Sequence, residues 1–145
     1  MDATSRLEGR AGTSAAVAFP DADEEVTRSV LVIGMIGIAL VHLLDLPGTI
    51  EDAPALAWAF GGVIVTSLIL AEYLRRTGST LAWLLCGGLA AAVLLGYVLS
   101  RTIGIPGLTT EDVGNWGEPL GIASVVIEAA VVWLAGTTFA GRVTS

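Results

Sequence analysis

Residues 81–99, LAWLLCGGLAAAVLLGYVL, contain no charged side chain. An uninterrupted apolar stretch of this length is what a helix needs to cross a hydrocarbon core of about 30 Å. Three further apolar segments of similar length flank it. Together they predict helices over about 26–46, 53–74, 80–100 and 119–139. Composition agrees: hydrophobic residues make up 54% of the 145 and charged residues 14%, against about 25% charged in an ordinary soluble domain. The expected fold is all-α, an integral membrane four-helix bundle with the lipid bilayer as its solvent.

Punctuation sets the boundaries. Pro47 and Gly48 are read as stopping the first helix, and Pro54 falls at an early position of the second, where a missing N–H costs nothing. The turn TGST joins helices two and three, and Pro119 opens helix four. Residues 1–25 are polar and end DADEE; they read as a disordered acidic tail rather than a cleavable leader. Residues 141–145 form a short second tail. Two stripes of small residues, Ala53/Ala57/Gly61 and Gly88/Ala92/Gly96, are expected to let helices approach closely. Trp58, Trp83, Trp116 and Trp133 are read as an interfacial aromatic belt.

Every base in the chain is Arg. Arg6, Arg10, Arg28, Arg75, Arg76 and Arg142 fall on one side of the four spans and Arg101 on the other. The positive-inside rule then puts both termini in the cytoplasm and the acidic first and third loops outside, in a bacterial plasma membrane. The net charge of −7, without a basic cluster, argues against nucleic acid. Cys86, a single cysteine, has no disulfide partner within the chain and is expected as a buried thiol.

Depth selects the polar groups of interest. At about 1.5 Å per residue, Glu128 lies some 13 Å beyond Pro119, near mid-membrane. His42 lies about 7 Å inside Pro47. Tyr97, Ser100 and Arg101 occupy the same outer half. A carboxylate at mid-bilayer costs about 3 kcal/mol on insertion scales. It therefore takes a proton, a donor or a cation. That leaves three roles for Glu128: an interhelical hydrogen bond, a proton or ion site with His42, or a contact with another membrane subunit. The metal-ligating candidates His42, Asp45 and Glu51 lack the three or four ligands at fixed spacing that zinc sites use. Glu72 is expected to pair with Arg75 and Arg76 at the cytoplasmic edge. No GxSxG, HExxH, CxxC or phosphate-loop pattern is present, so neither a catalytic set nor a cofactor is expected.

LSRTIGIPG at 99–107, after the Gly96–Tyr97 helix end and before PLGIASVVIEAAVV, resembles a family of small four-helix membrane proteins of actinobacteria and related bacteria. His42, Ser100, Arg101, Thr102, Gly104, Pro106 and Glu128 match the family's first-helix His, its Ser-Arg-Thr-x-Gly-Ile/Leu-Pro motif and its fourth-helix Glu. The first loop, LDLPGTIEDAP, lacks the His that many relatives carry, which weakens a metal site. The resemblance implies the fold and no particular activity. The favoured expectation is a non-enzymatic accessory or assembly subunit, in a homo-oligomer or a larger membrane complex. The alternatives are an oligomeric proton or metal-ion channel around Glu128 and His42, and an outward-facing sensor using residues 101–118.

Overall fold

The computed structural model describes residues 22–106 and 112–144. They form four helices: α1 (Ala22–Asp52), α2 (Pro54–Thr77), α3 (Thr80–Thr102) and α4 (Pro119–Thr144). Each helix packs on its neighbours in sequence, and α4 closes the ring against α1. All four are long and apolar enough to cross a bilayer. Large apolar side chains such as Ile33, Leu68 and Ile69 project outward, which suits lipid as the surrounding medium.

Local chemistry explains the helix ends. Pro54 sits in the first turn of α2. Gly78 ends that helix in the left-handed conformation (φ 55°), its N–H bonded to the Leu74 carbonyl. The Ser79 hydroxyl caps α3 by accepting from the Ala82 N–H. Gly104, at φ 70°, turns the chain out of α3 while its N–H bonds the Leu99 carbonyl.

Several boundaries differ from the sequence expectation. α1 already includes residues 22–25 and continues through Pro47 and Gly48 to Asp52; residues 1–21 lie outside the described part. Proline deletes one backbone bond and crowds the carbonyl four residues earlier. Here the ladder resumes at once: the Thr49 hydroxyl bonds the Asp45 carbonyl at 3.0 Å, and the Ala53 N–H bonds the Thr49 carbonyl at 2.9 Å. Likewise α4 runs on to Thr144 and takes in residues 141–144 of the expected tail. Of the expected 101–118 loop, Arg101 and Thr102 belong to α3, and residues 107–111 fall outside the description.

The two ends of the bundle are built differently. One end gathers the starts of α1 and α3 and the finishes of α2 and α4. There Leu31, Met35, Leu74, Trp83, Cys86 and Val131 form a core with no exposure above 1%. Glycine makes this packing tight. A Cβ on Gly34 would stand 2.6 Å from Val131 Cγ2, and one on Gly87 would stand 2.8 Å from Ala135 Cβ. Neither expected small-residue stripe does this: around Gly61, Gly88 and Gly96 a Cβ would meet nothing within 4 Å. Gly87 is one residue, about 100° of helix rotation, from Gly88. That rotation moves the contact face from the stripe to its neighbour.

Trp83 also departs from the belt: it is wholly buried, with the Arg142 guanidinium 5.5 Å from its ring centre. Arg142 also reaches Glu24, the Gly78 carbonyl (3.1 Å) and the Thr80 hydroxyl (3.2 Å). It ties this end shut. Trp58 and Trp133 are outward-facing, at 85% and 72% exposure. Glu72 pairs with Arg75 (2.7 Å) and Arg76 (2.5 Å) as expected.

Candidate functional site

At the other end the helices separate around a cavity of about 430 Å³, lined from all four. The five residues selected by depth, His42, Tyr97, Ser100, Arg101 and Glu128, all border it. Asp45, the second metal candidate, borders it too; Glu51, the third, is exposed and does not.

Glu128 is completely buried. Its Oε1 accepts from the Ser124 hydroxyl at 2.5 Å, one turn earlier on α4. Its Oε2 is enclosed and, among the described residues, has no hydrogen-bond partner. One neutral hydroxyl does not compensate a bare carboxylate removed from water. The group at this position needs a proton or a cation beside Oε2.

His42 is buried on α1, its Nδ1 2.9 Å from the Ile38 carbonyl. A carbonyl only accepts, so Nδ1 carries the hydrogen and Nε2 of the neutral ring is the acceptor. The ring stands edge-on to Phe60 of α2 at 4.8 Å. The Ile38 carbonyl, one turn earlier on α1, holds the ring. Ser100 bonds the Tyr97 carbonyl at 2.8 Å, a local helical contact that leaves its hydroxyl with no imidazole as base.

Arg101 was expected in the outer half, at the mouth of α3, with no partner assigned to it. It is instead buried, with Nη1 2.6 Å from Asp112 and Nη2 bonded to Glu118. Its guanidinium lies 5.1 Å from the Tyr97 ring centre, and its carbonyl accepts from the Gly114 N–H at 2.9 Å. Arg101 therefore fastens the chain before α4 onto the end of α3. Glu111, an acid of the third loop next to Asp112, lies outside the described residues.

Charge in the cavity is unbalanced. Among the described lining residues, Asp45, Asp52, Asp112, Glu118 and Glu128 face a single guanidinium. Asp112 and Glu118 answer Arg101, which leaves acid in excess. Low-dielectric walls lined by one sign concentrate the opposite sign. No group of three or more His, Cys, Asp or Glu among the described residues is placed to hold a metal ion.

The sequence reading missed Ser124, Glu118 and Phe60. Ser124 was detectable, since i and i+4 on a helix share a face. The Glu118 pairing spans the α3–α4 connection and left no periodic signal. Fold and site together define a small multi-pass helical membrane protein with a polar cavity at one end and a sealed core at the other. Comparison with known protein families, curated proteins and solved structures finds no match.

Proposed function

We propose that this protein is a non-enzymatic membrane receptor that takes a small cation from the outer face into the acidic cavity and holds it against Glu128. The observation that carries this is the unpaired Oε2 of a fully buried Glu128 at the wall of a sizeable cavity. A purely structural glutamate would have both oxygens satisfied by neighbouring helices. The sealed core beyond Glu128 favours binding within one chain over conduction through it. Arg28, Arg75, Arg76 and Arg142 cluster at the sealed end, which supports a cavity opening outward.

The test is a titration of the purified full chain in lipid nanodiscs, read by tryptophan fluorescence. The Trp116 ring centre stands 6.1 Å from that of Tyr97, which lines the cavity. Cations are expected to give a saturable response that Glu128→Gln abolishes, and anions none. Equal responses to both signs, or a variant that behaves as the parent, would remove the proposal.

A second role, an accessory subunit or homo-oligomer, is favoured by the bare face at Gly88 and Ala92, which no described residue covers. Native mass spectrometry from lipid decides it: a single-chain species at all concentrations counts against that role.

A further inference from the structure

We infer that the cavity's ligand is a small primary ammonium ion, an alkylamine in its protonated form; this rests on the cation-binding role proposed above. Size speaks first. A volume of about 430 Å³ equals on the order of a dozen water molecules and falls in the range of organic-ligand pockets. A single inorganic ion leaves most of it empty, and the metal-ligand set such an ion requires is missing among the described residues.

The lining then specifies the chemistry. A primary ammonium offers three N–H donors and one positive charge. Glu128 borders the cavity, and its Oε2, enclosed and unpaired among the described residues, supplies an acidic acceptor when the carboxyl turns toward a ligand; His42, held through Nδ1, supplies a neutral acceptor at Nε2. Phe60 adds an aromatic ring on the α2 wall, attractive to a cation. Val41, Leu56 and Val93 give the alkyl body an apolar surface. A ligand bearing its own carboxylate is disfavoured: the charge of Arg101 is already met by Asp112 and Glu118, and the remaining acids repel it. A quaternary ammonium keeps the charge and loses the donors, so it leaves Oε2 unbonded.

Isothermal titration calorimetry of the full chain in nanodiscs tests this with n-butylammonium, tetramethylammonium, sodium, zinc and γ-aminobutyrate. n-Butylammonium is expected to bind more tightly than the other four. Glu128→Gln, close to isosteric, should weaken it at least about 100-fold by removing the charge partner. Phe60→Leu should weaken it about 3- to 10-fold, and serves if the first variant fails to fold. Sodium or zinc binding that depends on Glu128, with no n-butylammonium binding, overturns the amine assignment and leaves the cation receptor standing. No Glu128-dependent cation binding of any kind overturns both. Tetramethylammonium or γ-aminobutyrate binding as tightly as n-butylammonium also overturns the assignment.

Discussion

Adjacent glycines on α3 should respond oppositely to the same substitution. A Cβ at Gly87 would lie 2.8 Å from Ala135 Cβ on α4. Carbon atoms in good contact sit about 3.5–4.0 Å apart, so Gly87→Ala needs roughly 1 Å of separation between the helices. Ala135 has no flexible end to swing aside, and the adjustment falls on the backbone. Overpacking of this kind costs about 1–3 kcal/mol. Replacing glycine by alanine within a helix returns about 0.8–1.0 kcal/mol. Gly88→Ala receives the same return and meets nothing within 4 Å. The propensity contribution cancels in the comparison, so Gly87→Ala should be less stable than Gly88→Ala by about 1–3 kcal/mol. Equilibrium unfolding in mixed micelles, followed by the fluorescence of the four tryptophans, measures the difference. Equal stabilities, or Gly88→Ala as the weaker protein at low concentration, would refute the helix facing described above.

Trp83 is fully buried, and Trp83→Ala should cost about 3–5 kcal/mol in the same unfolding assay. Gly121→Ala brings a Cβ to 2.7 Å from the Tyr97 ring; the ring must turn, which should change Trp116 fluorescence and weaken cation binding with little loss of stability. Arg101→Gln removes the link to Asp112 and Glu118. It should cost about 1.5–3 kcal/mol and speed proteolysis between α3 and α4; an unchanged cleavage rate would contradict the clamp.

The spans were legible because lipid imposes a length and an apolar composition that few soluble segments share. Part of the cavity lining was legible through depth alone. Counting residues from Pro119 and Pro47 put Glu128 and His42 in the same half-membrane, and Tyr97, Ser100 and Arg101 followed from the end of α3. Depth carries no rotation, however. The contact face of α3 depends on Gly87 meeting Ala135, and the more conspicuous stripe beginning at Gly88 drew attention to the wrong side. Trp83 was misplaced for a related reason: its height suits an interface, while its rotation and the Arg142 contact put it in the core. Pro47 marks a helix stop in most contexts, yet the Thr49 and Ala53 bonds carry α1 past it. The Arg101 partners were hidden because Glu118 is distant in sequence and comes near only when α3 and α4 pack.

The central claim is that water and small cations reach Glu128 from one end only. Cysteine accessibility at Val93 tests it most directly: this residue lines the cavity on α3, about nine residues below the helix end and hence near the depth of Glu128. In vesicles of known orientation, Val93→Cys should react with a cationic thiosulfonate added on the side of the α3–α4 connection, and faster than with an anionic one. The native thiol of Cys86, enclosed in the sealed core, should stay unmodified. Reaction from the opposite side, equal rates for both charges, or no reaction at Val93→Cys would contradict a one-ended acidic cavity.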